Sequence, residues 1–132
     1  MSIVLQVGVK ILLKNSEGKF LLLKRSAEKY PDVENPWDIP GGRIETGSTL
    51  LENLARELKE ETGLELPKEI TLIAAQDILK EARHVVRLTY LGNNDPDPIL
   101  SDEHSEFGWF TLDELKQLEK LDRYVKELIP KL

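Results

Sequence analysis

The sequence predicts a layered α/β domain, because strand-like segments alternate with amphipathic helices along its 132 residues. Residues 3–14 and 19–25 are rich in Val, Ile and Leu, and a turn sequence, Asn-Ser-Glu-Gly, separates them. Residues 49–62 repeat apolar side chains at helical spacing. Neither repeats nor a linker interrupt the sequence, so we expect a single domain over residues 1–132.

The helix predicted over residues 49–62 has recognisable ends and an apolar stripe. Thr49 and Glu52 form a capping-box sequence, Ser48 is the alternative cap, and Gly63 is typical of a helix end. Four apolar residues recur at i, i+3, i+4 and i+7, and we expect them to face the core: Leu51, Leu54, Ala55 and Leu58.

The second half of the sequence supplies the remaining elements. Two long strands are predicted over residues 70–79 and 84–92, and a short one over residues 107–110. Thr111 begins a helix with a second capping-box sequence, and a further helix is predicted over residues 122–129. This order of strands and helices supports the α/β interpretation.

Composition excludes several classes of protein. The net charge of −6 disfavours binding to a nucleic-acid polymer, which needs a basic surface. The apolar runs are too short to cross a bilayer, and the N-terminus does not resemble a secretory signal. The sequence has no cysteine, so disulfides and thiolate metal sites are excluded. We therefore expect a cytoplasmic protein without membrane or nucleic-acid partners.

An acidic cluster on the predicted helix suggests a metal site. Glu57, Glu60 and Glu61 are spaced so that their carboxylates share one side of the helix. Like charges at that spacing repel one another unless a cation lies among them. Mg²⁺ favours such oxygen ligands and keeps water and substrate phosphates as its other ligands. The alternative is a solvated acidic face, which is common in a chain with 32% charged residues.

A glycine-rich segment, residues 40–49, precedes this helix and is called the glycine loop below. Glycines allow the backbone to turn tightly and to approach a ligand closely. Together the loop and helix resemble the signature of the Nudix hydrolases, including MutT-like proteins, which runs from Gly42 to Leu64 in this sequence. The positions that match are Gly42, Arg56, Glu57, Leu58, Glu60, Glu61, Gly63 and Leu64.

One position departs from this signature. Ser48 stands where the family has a glutamate that lies near the signature arginine and holds the loop against the helix. Glu52 is four residues before Arg56, the favourable order for an ion pair, so we expect it to substitute in part. Ser48 is therefore either a harmless cap or the sign of a degraded or re-tuned active site.

The resemblance implies a fold and a metal site. The fold is an α/β/α sandwich with a central mixed sheet, in which the signature forms a loop–helix–loop. Mg²⁺ or Mn²⁺ is the implied cofactor, with Glu57, Glu60, Glu61 and the backbone carbonyl of Gly41 as ligands. Arg56 is expected to orient a glutamate, and the alternative for Arg56 is an ordinary surface ion pair.

The resemblance also suggests a general base and groups that contact substrate. Glu103 is the first choice for base or additional ligand and Glu106 the second, with a solvated acidic loop as the alternative. We expect His104 to be a surface residue, although proton transfer is the other interpretation. Arg25 is expected to meet substrate phosphates, and Gly42 to lie against the substrate.

By resemblance, the protein hydrolyses a pyrophosphate bond in a nucleoside diphosphate derivative. The leading substrate is a nucleoside triphosphate, including oxidised or non-standard ones, cut to monophosphate and pyrophosphate. Alternatives are an ADP-ribose or nucleotide-sugar pyrophosphatase, a dinucleoside polyphosphate hydrolase, and a non-catalytic nucleotide-binding module. The expected partner is a small nucleotide, and relatives suggest a homodimer.

Overall fold

The computed structural model describes residues 2–132 and confirms the α/β fold. The strands in this range, all in one sheet, are β1 (Val4–Lys14), β2 (Phe20–Arg25), β3 (Trp37–Asp38), β4 (Gly41–Arg43), β5 (Ile70–Leu79), β6 (Arg83–Asn93) and β7 (His104–Phe110). The helices are α1 (Leu50–Thr62), α2 (Leu112–Gln117), α3 (Arg123–Lys126) and a 3₁₀ helix (Ile129–Lys131).

The sheet is mixed and is organised around β1. Strand β1 pairs in parallel with β6 along its whole length, and β6 pairs antiparallel with β5. On its other edge β1 pairs antiparallel with β4 and, at Lys14, with β2. Strand β2 lies between β3 and β7. This arrangement brings the glycine loop against the middle of β1.

Alternation along β1 and β2 divides the core between the two faces of the sheet. Val9, Ile11 and Leu21 belong to the core on the α1 face. Leu12 and Leu22 belong to the core on the other face, beneath α2 and α3. The expected α/β/α sandwich is therefore present. Among residues 2–132, every helix is too short or too polar to cross a membrane.

The buried face of α1 differs from the predicted stripe. Leu54 and Leu58 are fully buried as expected, but Leu51 is 44% exposed, so that prediction was wrong. Polar Asn53 and Glu61 are buried instead. The glycine loop covers this side of the helix, so the buried face is shared between the sheet and the loop and is partly polar.

Other differences concern short elements. Strands β3 and β4 were not predicted, because segments of two and three residues are stabilised mainly by pairing with β2 and β1. Strand β7 begins at His104 rather than at residue 107, because its early residues pair with the end of β2. The helix predicted over residues 122–129 is divided into α3 and a 3₁₀ helix.

A buried network of charges joins these strands next to the glycine loop. Asp38 is 2% exposed and lies 3.4 Å from Lys10, 3.2 Å from Arg25 and 3.0 Å from Arg87. Arg87 also lies 3.4 Å from Asp122. Burial alone raises the pKa of Asp38, but Lys10, Arg87 and Arg25 outweigh burial and hold it well below its ordinary value. Asp38 thus stays ionised and fixes three cations.

Two leucines of α1 test the observed burial. We expect Leu54→Ala to lower the free energy of unfolding by about 3 kcal/mol, because it leaves a cavity in a fully buried site. Leu51→Ala, the matched control on the same helix, should cost about 1 kcal/mol or less. Urea denaturation gives both values, and an equal loss in the two variants contradicts the observed orientation of α1.

Asp38→Asn tests the buried charge network. We expect it to lower the free energy of unfolding by about 3 kcal/mol, because three cations lose a buried anionic partner. The contribution of Asp38 is fully present above its ordinary pKa of 3.8 and is lost as the pH falls below that value. Urea denaturation at pH 7 measures the loss, and Asp102→Asn, which removes an exposed ion pair with Lys29, is the control. Equal losses in both variants contradict the role of the network.

Candidate functional site

A cavity of about 350 Å³ opens between β1, the glycine loop, α1 and the start of β7. Its size is in the range of small-molecule sites. Predicted site residues that line the cavity are Arg25, Gly41, Gly42, Glu57, Glu61 and Glu103. Side chains that were not predicted to contribute also line it: Lys10, Tyr30, Arg43, Arg87 and His104.

Two glycines allow the loop to approach both the sheet and the helix. Gly41 has φ +143°, and a Cβ there would lie 2.0 Å from the carbonyl oxygen of Val9. A Cβ at Gly42 would lie 2.7 Å from the carboxylate of Glu57. The first distance leaves no room for a side chain, and the second would require the Glu57 carboxylate to move. The loop backbone is therefore held directly against the acidic side of α1.

Glu61 is the most buried carboxylate of the site, with 7% of its surface exposed. Its Oε1 accepts a hydrogen bond of 2.8 Å from the backbone amide of Gly41. Burial raises the pKa of Glu61 to about 7, and the charges of Glu57 and Glu103 act in the same direction. Lys10 and the Gly41 amide act against that rise. The site therefore holds a carboxylate that lacks a fully compensating cation.

Glu103 is the residue before β7 and His104 is the first residue of β7, and both lie close to the Glu61 carboxylate. Each of Glu61, Glu103 and His104 offers an atom within 4.8 Å of the others, which suits metal coordination. The expectation that His104 is a surface residue was wrong, since it is half-buried and lines the cavity. Burial lowers the pKa of His104 to about 4, and Lys10 and Arg25 add to that effect, so the imidazole is neutral at pH 7.

Four cations also line the cavity. Lys10 and Arg87 come from adjacent strands β1 and β6, Arg25 ends β2, and Arg43 ends β4. The only sequence signal for Lys10 and Arg87 was a single cation inside each apolar strand. Their proximity depends on the parallel pairing of β1 with β6, which local patterns do not reveal. Carboxylates and cations thus line one cavity, as a site for a metal and an anionic ligand requires.

Three predicted residues lie outside the cavity lining. The Glu60 side chain is 61% exposed, and Glu106 is 58% exposed and pairs with Lys24 at 3.2 Å. Arg56 lies beside the acidic cluster, 3.2 Å from Glu57 and 3.8 Å from Glu60. The structure therefore brings Glu57, Glu61 and Glu103 together, with Glu60 and Arg56 at the edge.

The start of α1 differs from the sequence expectation. Thr49 is the N-cap and forms a capping box with Glu52, which removes Ser48 as the cap. Glu52 accepts a hydrogen bond of 2.9 Å from the Thr49 amide, so its carboxylate is directed to the helix end rather than to Arg56. The expectation that Glu52 substitutes in part for a signature glutamate by pairing with Arg56 was therefore wrong.

Comparisons with known proteins agree with this geometry. The family model described as NUDIX domain matches residues 4–132. The chain is 32% identical over 117 residues to the bis(5'-nucleosyl)-tetraphosphatase [asymmetrical] of Rattus norvegicus, covering 82% of this chain and 74% of that protein. It is 47% identical over 62 residues to the m7GpppN-mRNA hydrolase NUDT17 of Xenopus laevis, of which it spans 20%.

The fold is also similar to that of a solved structure. The crystal structure of the MutT protein from Methanosarcina mazei Go1 superimposes with a TM-score of 0.83 and 29% sequence identity. The match covers 99% of this chain and 94% of that protein. The family model, the related hydrolases and the shared fold all agree, and the chain therefore belongs to the Nudix family of hydrolases.

Proposed function

We propose that this protein hydrolyses a pyrophosphate bond of a nucleoside triphosphate, including oxidised or non-standard ones, and releases a monophosphate and pyrophosphate. Mg²⁺ or Mn²⁺ is the proposed cofactor. One observation carries the proposal: three carboxylates, Glu57, Glu61 and Glu103, line a cavity of about 350 Å³ together with four cations. A metal bound to the carboxylates would neutralise their negative charge, and a phosphate chain at the cations would neutralise the positive charge.

The carboxylates fit a hard divalent cation. Glu61 is buried, its pKa is raised to about 7, and it accepts a hydrogen bond from the Gly41 amide. Glu57 lies against the backbone of Gly42. We assign Glu57, Glu61 and the Gly41 carbonyl as ligands, with Glu60 at the exposed edge. A bound divalent cation supplies neutralisation of phosphate charge and activation of a water molecule.

Glu103 is the proposed general base. Its carboxylate accepts the proton of the attacking water as the water oxygen bonds to phosphorus and the bridging oxygen leaves. His104 lies within 4.8 Å of the Glu103 carboxylate. Because its imidazole is neutral at pH 7, it does not form an ion pair that would make Glu103 a weaker base. Glu106, the other candidate, is far more exposed and pairs with Lys24.

The cations that line the cavity orient the phosphates of the substrate. Arg25 and Lys10 are held by Asp38, so their positions are fixed before the substrate arrives. The Arg43 side chain donates a hydrogen bond to Gln6 at the rim of the cavity. Fixed cations stabilise the negative charge that develops on the leaving phosphate. Gly42, without a side chain, leaves room for the substrate next to Glu57.

A dinucleoside tetraphosphate is the second candidate substrate. It is supported by the rat relative, an asymmetrical bis(5'-nucleosyl)-tetraphosphatase with 32% identity over 82% of this chain. The four cations that line the cavity also suit a phosphate chain longer than that of a triphosphate. The retained carboxylates count against a non-catalytic module. The homodimer and the cytoplasmic location stay predictions.

A substrate panel tests the proposed function. The protein is incubated with Mg²⁺ and separately with the standard nucleoside triphosphates, 8-oxo-dGTP, diadenosine tetraphosphate, ADP-ribose and UDP-glucose. We expect the largest kcat/KM for a triphosphate, with monophosphate and pyrophosphate as products. A preference for diadenosine tetraphosphate establishes the second candidate. Tight binding without any product contradicts the enzymatic proposal.

Glu61→Gln tests the role of the carboxylates in the same assay. We expect kcat on the best substrate to fall by about 100-fold or more, because the variant removes a proposed metal ligand but keeps the shape of the side chain. The matched control is Glu65→Gln, whose exposed carboxylate pairs with Lys59 just beyond α1. Nearly normal turnover in Glu61→Gln contradicts the proposed site.

A further inference from the structure

We infer that Asn53 is the positioning residue that orients Arg56 and locks the glycine loop onto α1, in place of the signature glutamate that Ser48 replaces. The inference rests on the proposed function, because it concerns the metal site of that function. Asn53 is fully buried in the first turns of α1. An asparagine is a weak helix former, so its burial there requires compensating contacts.

The Asn53 side chain joins the loop to Arg56 through its oxygen. Its Oδ1 accepts a 2.8 Å hydrogen bond from the backbone amide of Glu45 and another of 2.8 Å from Nη1 of Arg56. One buried oxygen therefore contacts both the loop backbone and the guanidinium. Hydrogen bonds to a charged group are among the stronger ones in proteins, and burial increases that effect.

The nitrogen of the same amide secures the end of the loop. Its Nδ2 donates to the carbonyl oxygens of Thr49 at 2.8 Å and Ser48 at 3.2 Å. The amide oxygen thus accepts two hydrogen bonds and the amide nitrogen donates two. A carboxylate at this position cannot reproduce this pattern because it has no donor. Asparagine also avoids a further buried negative charge next to the acidic cluster.

Arg56, held by Asn53, in turn holds the carboxylates around it in place. Its guanidinium lies 3.2 Å from Glu57, 3.5 Å from Glu45 and 3.8 Å from Glu60. Glu57 is one of the proposed metal ligands, and Gly42 packs against its carboxylate. Without Asn53, Arg56 loses its buried acceptor and becomes free to draw Glu57 away from the cavity. Groups that orient metal ligands typically change metal affinity by about 10- to 100-fold.

Mn²⁺ binding to the full chain, without nucleotide, tests the inference directly. The free Mn²⁺ signal in electron paramagnetic resonance gives Kd at a temperature where every variant is folded. We expect Asn53→Ala to weaken Mn²⁺ binding by about 10-fold or more. Asn53→Asp keeps the oxygen that Arg56 and Glu45 contact but loses the donor to the loop carbonyls. It should bind Mn²⁺ within about 3-fold of the wild type, although its melting temperature falls.

Two further variants separate positioning from stability. Glu52→Ala removes the capping box of the same helix, so it lowers the melting temperature and should leave the Mn²⁺ affinity unchanged. Asn53→Ser retains a hydroxyl for the Thr49 carbonyl but is too short to reach Arg56. Asn53→Ser should lose as much Mn²⁺ affinity as Asn53→Ala. If Asn53→Ala does not fold, the Mn²⁺ affinity of Asn53→Ser tests the inference in its place.

The outcomes are distinct. Asn53→Ala or Asn53→Ser binding Mn²⁺ within about 2-fold of the wild type overturns the inference alone. Equal losses in the alanine, serine and aspartate variants also overturn it, because the shared oxygen then has no role in positioning. A wild-type protein that binds no Mn²⁺ refutes the metal site of the proposed function together with this inference.

Discussion

The site depends on carboxylates that the first helix holds against the glycine loop, and above all on the burial of Glu61. Glu61 is almost fully buried, and its pKa is raised to about 7 from an ordinary 4.5. Burial disfavours the ionised form of Glu61 in the folded protein. The folded protein therefore loses stability as the pH rises from about 4.5 to 7, because Glu61 ionises more readily in the unfolded chain. A bound cation would reverse this balance, and we regard the buried negative charge as the reason for the proposed metal site.

Neighbouring features hold those carboxylates in place. The Gly41 amide bonds to Glu61, and Gly42 allows Glu57 to pack against the backbone. Asp38 holds the cations Lys10 and Arg25 in place in a similar way. Cations held by a buried anion thus line the same cavity as the carboxylates, of which Glu61 is the buried one. Such an arrangement provides preorganised charge for a phosphate substrate.

Local patterns in the sequence predicted much of this arrangement and failed where contacts are long-range. Periodicity predicted β1, β2 and α1, and spacing grouped Glu57 with Glu61. The Leu51 error arose because amphipathic patterns assume that polar residues face water, whereas the loop covers Asn53. Lys10 and His104 enter the site through strand pairing and the start of β7, which no local pattern encodes.

Carboxyl-carbon NMR of ¹³C-labelled glutamate tests the central claim most directly, because it reports the protonation of Glu61 with and without Mg²⁺; Glu61→Gln identifies its signal. Without Mg²⁺ the signal should titrate with a pKa of about 7. Saturating Mg²⁺ should move the midpoint below the ordinary value of 4.5, because the cation stabilises the ionised form. A pKa that Mg²⁺ leaves unchanged contradicts the account.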